Sequence, residues 1–291
     1  MKKFFAHVAL SLLALTGTPG GAAARVTEAQ FIKPVPGGTL TAQQVRAVAP
    51  VFSLTAHDIP VQDGGRLHAV VLRRPKARGT LVYFGGNGFT MERFGASTAA
   101  VFAPFGVNVV LVDHRGYGRS TGMPTAALLE ADGLAVFDFV RRLRGIDRMK
   151  IIVHGHSLGS FTAGYVAANR PTAGAVLESS VTTIQDWVVS QAGAEMARRM
   201  TIAPTLQGRG NSRHMLAITE PLLLVVGEAD RTTPASMSRA LHAASPLAAS
   251  RKFLAVIPGA GHNDAMLRPE AAEAYRRFLD RALGSRGPAS R

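Results

Sequence analysis

Beyond residue 80 the hydrophobic positions fall in short unbroken runs, at 80–84, 107–112, 150–154, 174–177, 222–226 and 252–257, separated by longer amphipathic stretches. Runs of Val, Ile and Leu without polar alternation suit strands buried on both faces, and a helical segment after each run supplies the crossover that parallel neighbours need. Ahead of them, two β-branched stretches at 51–59 and 67–72 flank Asp63-Gly64-Gly65 and read as an antiparallel hairpin. The pattern predicts an α/β fold: a mostly parallel, doubly wound sheet with antiparallel N-terminal strands.

Three segments depart from the alternation. Residues 181–217 lie between two predicted strands, yet they are helical in pattern with no clear strand of their own. An insertion there would sit at the carboxyl ends of the strands, where open α/β sheets hold ligands, so it is read as a small helical lid. Residues 25–50 predict an N-terminal arm with one short helix, Thr41 capping Ala42-Gln43-Gln44-Val45 and Pro50 lying past the end. Residues 284–291, rich in Gly, Ser, Pro and Arg, predict a disordered tail, leaving 51–283 as the main domain.

The first residues form a different object. Lys2 and Lys3 precede an apolar run at 4–15 and then Ala22-Ala23-Ala24, the layout of a secretory signal peptide cleaved near Ala24. The run falls short of the ~20 apolar residues that span a bilayer, so the expectation is export to a periplasmic or extracellular location rather than anchoring. With no cysteine in the chain, disulfides, thiolate nucleophiles and Cys-based zinc sites are excluded. The formal charge of +14 favours acidic surroundings, including peripheral contact with an anionic membrane surface. Nucleic acid is not the expected partner, because the Arg and Lys residues are scattered and no reading motif accompanies them.

Candidate chemistry begins with the pattern G-x-S-x-G, which occurs at Gly155-His156-Ser157-Leu158-Gly159 and at Gly118-Arg119-Ser120-Thr121-Gly122. A serine nucleophile of this kind sits on a sharp strand-to-helix turn. Ser157 has that context, with Ile151-Ile152-Val153 before it and a helical pattern after it, whereas Ser120 trails its strand by seven residues and precedes Pro124. Ser120 is therefore read as structural.

A serine hydroxyl needs a base in hydrogen-bond reach and a third group to orient that base, and after an elbow the chain order is Ser, acid, His. His262, in the Gly-rich loop Pro258-Gly259-Ala260-Gly261-His262 after the last strand, is the base in this reading. Asp230 is chosen as the acid over Glu228 in the same loop and over Glu178, which ends the strand before the lid. Two backbone N–H groups should face the developing oxyanion: that of Leu158, and that of Asn87 in Gly85-Gly86-Asn87-Gly88. The glycine loop fits neither a P-loop nor a dinucleotide fingerprint, and no metal-ligand cluster is evident, so no cofactor is called for.

With these residues the chain resembles the α/β-hydrolase superfamily from about residue 51 to 283. It looks most like the small-lid serine hydrolases that include depalmitoylases and monoacylglycerol-lipase-like or serine-aminopeptidase-like members. Phe84-Gly85-Gly86-Asn87 resembles the subgroup's aromatic-His-Gly-Asn loop, with Gly85 in place of the His. The resemblance implies that the Asp113-His114-Arg115-Gly116-Tyr117-Gly118-Arg119-Ser120 loop is structural. It also implies that the Glu of Leu177-Glu178-Ser179-Ser180 is not the acid, and that Gly227-Glu228-Ala229-Asp230 carries the acid at Asp230.

The expected activity is cleavage of a carboxylic ester or thioester, on a small or lipid-like substrate, through an acyl-enzyme on Ser157. An amidase, a peptidase or an acyltransferase would use the same residues. A non-catalytic binding protein on this fold would usually lack one of the three, and here all three are present. Ile184, Trp187, Val188, Met196, Met200 and Ile202 are candidates to line an acyl pocket, or else ordinary core positions of short helices.

Overall fold

The computed structural model describes residues 24–284. The predicted signal segment up to residue 23 and the tail from 285 onward lie outside the described residues.

Two strands open the main sheet, β2 (Ser53–Pro60) and β3 (Arg66–Arg73), antiparallel to each other across the Asp63-Gly64 turn. Six strands follow: β4 (Thr80–Phe84), β5 (Asn108–Val112), β6 (Ile151–His156), β7 (Gly174–Glu178), β9 (Leu222–Gly227) and β10 (Lys252–Ile257). Their order is β2-β3-β5-β4-β6-β7-β9-β10, with every pair from β5 to β10 parallel. The α/β fold with antiparallel N-terminal strands is thus present. β6 runs two residues further than its apolar run, through Gly155 and His156, because both pair with β7.

Helices cover both faces. On one side lie α2 (Ala42–Val48), α3 (Met91–Phe102) and α9 (Pro269–Leu283); on the other lie α4 (Ala126–Arg142), α5 (Leu158–Asn169) and α8 (Ala235–Ala244). Alternate strand residues feed the two cores: Leu81 and Tyr83 pack against α2, α3 and α9, while Val82 and Phe84 face the α4, α5 and α8 layer. The sequence sets the helix starts locally. Thr41 Oγ1 accepts the Gln44 N–H while the Gln44 side chain takes the Thr41 N–H, and Thr125 caps α4 through the Leu128 N–H.

The segment at 181–217 holds α6 (Ile184–Ala192), α7 (Ala194–Arg198), two short 3-10 turns and a two-residue strand, β8 (Thr201–Ile202). This corrects the expectation of a segment without strands. β8 pairs in parallel with β1 (Arg25–Val26), and behind β1 comes α1 (Glu28–Phe31). A two-residue strand has no detectable period, and its partner is some 175 residues away, so only the folded chain reveals it. Together the arm and the insertion form a third core, in which Phe31 packs edge-on against both Phe161 and Trp187 at 5.6 and 5.5 Å.

The loop after β5 is fixed by a buried ion cluster. Arg115, 1% exposed, forks onto Asp132 of α4 at 2.9 and 2.6 Å and reaches Asp63 of the hairpin turn at 2.6 Å. Such a guanidinium is retained at low cost only because each face of the fork has a carboxylate partner.

Candidate active site

β6 ends at His156 and α5 begins at Leu158, so Ser157 alone makes the turn, with φ 52° and ψ −116°. A non-glycine residue held at positive φ stores on the order of 1–3 kcal/mol, which the surroundings must overdetermine. Here close packing does so. A Cβ on Gly155 would lie 2.1 Å from the Gly159 carbonyl oxygen, and one on Gly159 would lie 2.1 Å from that of Phe84. Helix and neighbouring strand meet this tightly only because both positions lack a side chain.

The turn places Ser157 Oγ 2.9 Å from His262 Nε2, and His262 Nδ1 lies 2.9 Å from Asp230 Oδ2. Asp230 is buried and saturated. Its Oδ1 accepts the backbone N–H of Thr232 and Thr233, and its Oδ2 accepts the Thr233 hydroxyl as well as the imidazole. Burial would raise its pKa, but the hydrogen bond and charge of His262 and the bonds from Thr233 outweigh it and hold the carboxyl below its ordinary value. An ionised Asp230 can only accept, which places a proton on Nδ1 and leaves Nε2 free to accept from the Ser157 hydroxyl. The His262 loop is anchored through its own backbone oxygen, which accepts from His156 Nε2 at 3.0 Å and Ser179 Oγ at 3.3 Å.

The residues set aside as catalytic candidates have other duties. The Ser120 hydroxyl donates to the Asp113 carbonyl at 2.7 Å and accepts the His68 N–H at 2.8 Å, clamping a buried loop to β3. Glu228 Oε2 accepts the Gly259 N–H. Glu178 is held by His154 Nε2 at 3.0 Å rather than by His262.

The loop 85–88 is pinned from three sides. His114 Nε2 lies 2.8 Å from the Gly85 carbonyl oxygen and donates to it. Asn87 Oδ1 accepts the Lys33 N–H and the Tyr117 hydroxyl, and its Nδ2 donates to the Phe31 carbonyl. A Cβ at Gly85 would meet the Phe89 side chain at 2.1–2.5 Å, so no His fits where the subgroup carries one, and these neighbours supply the rigidity instead. No described residue accepts the backbone N–H of Asn87 or of Leu158, leaving both for a ligand.

A cavity of about 190 Å3 opens beside Ser157 and His262, but not under the insertion. Its walls are Tyr83, Phe89, Phe94, Val101, Phe102 and Met266, from β4, the loop after it, α3 and the turn after β10. The pocket expected from Trp187, Met196 and Met200 is therefore corrected. Trp187 is consumed by Phe31 and by a hydrogen bond from its Nε1 to the Thr232 carbonyl, Met196 is 53% exposed, and Met200 packs on the third core. The arm covers the face those side chains would have offered. Sequence reasoning also missed Thr233, His156 and the α3 wall; the spacing of Phe94, Thr98, Val101 and Phe102 on one helix face was the one signal for the wall.

A strand, a strained serine turn, and an acid and histidine delivered from two later loops are the marks of a hydrolase built on a doubly wound sheet. The comparisons show the same fold. Residues 75–216 match the family model described as serine aminopeptidase, S33. An uncharacterized protein of Mycobacterium tuberculosis is 33% identical over 187 residues, covering 63% of this chain and 64% of that protein. The protein bem46 of Schizosaccharomyces pombe is 28% identical over 198 residues, covering 66% and 64%. The matches thus span somewhat under two thirds of these relatives' own length. Among solved structures, an esterase of Pyrococcus furiosus superposes with a TM-score of 0.68 at 17% identity, covering 87% of this chain and all of that one. An acylaminoacyl peptidase of Pyrococcus horikoshii gives 0.58 at 15%, covering 83% and 44%. These likenesses show that the chain has the α/β-hydrolase fold, and over residues 75–216 it is similar to the serine aminopeptidase, S33 family.

Proposed function

We propose that this protein is a serine hydrolase that cleaves a carboxylic ester or thioester through an acyl-enzyme on Ser157. The observation that carries the reading is the unbroken chain Ser157 Oγ, His262 Nε2, His262 Nδ1, Asp230 Oδ2, each link 2.9 Å, on a serine forced to positive φ.

The chemistry follows from the proton positions. His262 Nε2 takes the Ser157 proton as Oγ attacks the carbonyl carbon, and Asp230 stabilises the imidazolium that forms. The carbonyl oxygen becomes an oxyanion, received by the free N–H groups of Asn87 and Leu158. Collapse breaks the bond to the leaving group, which departs with the proton from His262. A water then gives its proton to His262, attacks the acyl carbon, and releases the acid while Ser157 recovers its proton.

The test is labelling of the purified protein with a fluorophosphonate, mass mapping of the modified peptide, and turnover of p-nitrophenyl esters. Modification at Ser157 with turnover is the expected result. A folded protein that neither labels nor turns over any ester refutes the reading.

A further inference from the structure

The cavity beside Ser157 has aromatic and aliphatic walls, yet its floor carries a carboxylate. Glu178 ends β7 directly beneath the turn, and its backbone oxygen accepts the Ser157 N–H at 2.9 Å. The residue is 5% exposed and is one of those that line the cavity. Its Oε2 is taken by His154 Nε2 at 3.0 Å, and His154 is itself locked between Tyr83, Phe102 and Tyr275, with Nδ1 3.3 Å from the Tyr275 hydroxyl. No described residue donates a hydrogen bond to Oε1. Burial alone would protonate the group, but His156, His154 and His262 more than offset it and keep the carboxyl below its ordinary pKa. The other charged residue of the lining is Arg93, exposed at the rim and lying over the Phe94 ring.

An ionised oxygen facing a small apolar chamber disfavours a plain alkyl chain, because filling the chamber strips the charge of water and gives nothing back. A cationic donor reverses that balance. Taking Ser157 to be the nucleophile, as proposed above, the acyl part of the substrate stays attached while the leaving group departs, so the acyl part is what a chamber at this position can hold. We propose that Glu178 is a specificity-determining residue whose Oε1 receives an ammonium group carried on the acyl part of the substrate. His154 is a positioning residue: it holds Oε2 and so turns Oε1 toward the cavity.

The experiment measures kcat/KM for p-nitrophenyl esters in matched pairs that exchange a terminal methyl for an ammonium: propanoate with aminoacetate, butanoate with 3-aminopropanoate, heptanoate with 6-aminohexanoate. In the wild-type protein the ammonium member wins by about tenfold or more for at least one length, and Glu178→Gln lowers that ratio by about tenfold or more. A purely structural Glu178 would lower both members together and leave the ratio unchanged; that result, or a preference for the uncharged member at every length, overturns the proposal. Should Glu178→Gln fail to fold, protection of wild-type Ser157 from a fluorophosphonate is compared for n-alkylammonium ions and n-alkanols of equal length. Protection by the ammonium at about tenfold lower concentration supports the assignment, and equal protection sinks it. Labelling at Ser157 and turnover of any ester keep the hydrolase reading intact whatever the ratios show; if neither is seen, both proposals fall together.

Discussion

Replacing Asp230 by Asn tests the proton arrangement more sharply than removing the serine does. Asp230 Oδ1 accepts two backbone N–H groups, from Thr232 at 2.9 Å and Thr233 at 2.8 Å. In the variant the amide oxygen must stay there, since the flipped amide would set its NH2 against two N–H donors at about 1–3 kcal/mol each. The NH2 then occupies the place of Oδ2 and faces His262 Nδ1 and the Thr233 hydroxyl. Facing a donor, Nδ1 must present its lone pair, so the ring proton moves to Nε2, which donates to Ser157 instead of accepting from it. Geometry is kept and the tautomer is wrong, a defect worth about ten-thousandfold in rate where such a triad operates. The assay is kcat/KM on a p-nitrophenyl ester together with the rate constant of fluorophosphonate labelling, in proteins checked for folding by circular dichroism. An Asp230→Asn protein within tenfold of wild type refutes the argument, as does loss of the same size for Glu178→Gln against every ester.

Further outcomes follow from other contacts. Ser157→Ala lowers turnover at least about a thousandfold, while Ser120→Ala, which removes a loop clamp far from His262, leaves the turnover of folded protein within a few-fold; the reverse ranking would displace Ser157. Val101→Phe narrows the cavity wall and lowers the ratio of hexanoate to acetate ester turnover by about tenfold, whereas Met200→Ala, outside the cavity, does not change that ratio. Burial pushes Asp113 up to about 6, against the N–H groups of Met91 and Arg119. The folded state therefore binds its proton more tightly than the unfolded chain, whose value is 3.8, and the group loses stability as pH rises through that window. The stability of wild type relative to Asp113→Asn should fall by on the order of 2–3 kcal/mol between pH 3.5 and 7 in urea titrations. A difference independent of pH would remove this account of Asp113.

The local parts of this protein are written in its sequence. Unbroken apolar runs fixed the parallel strands, because a strand buried on both faces admits no polar alternation. Thr41 and Gln44 announce the start of α2 because capping involves only residues three apart. Gly155, Ser157 and Gly159 mark a turn whose geometry is decided within five residues. Once chain order is added, the same sequence singles out His262 and Asp230, and the fold brings both within 2.9 Å of their partners.

The cavity was not legible in this way, since its location depends on which apolar faces remain uncovered after packing. Trp187 and Met200 have the composition of a pocket wall, but the arm pairs through Arg25–Val26 with Thr201–Ile202 and sets Phe31 against Trp187, turning that face into core. The α3 face was left open instead. Asn87 likewise carries no sequence signal that its side chain ties the 85–88 loop to Lys33, Phe31 and Tyr117. Glu178 reads in the sequence only as a spare acid. Its meeting with His154, and its place in the lining of the chamber beside Ser157, arise from strand register and from helices laid over the sheet. Sequence fixes what neighbours along the chain can do, while contacts between distant segments exist only after the chain has paid the entropy of bringing them together.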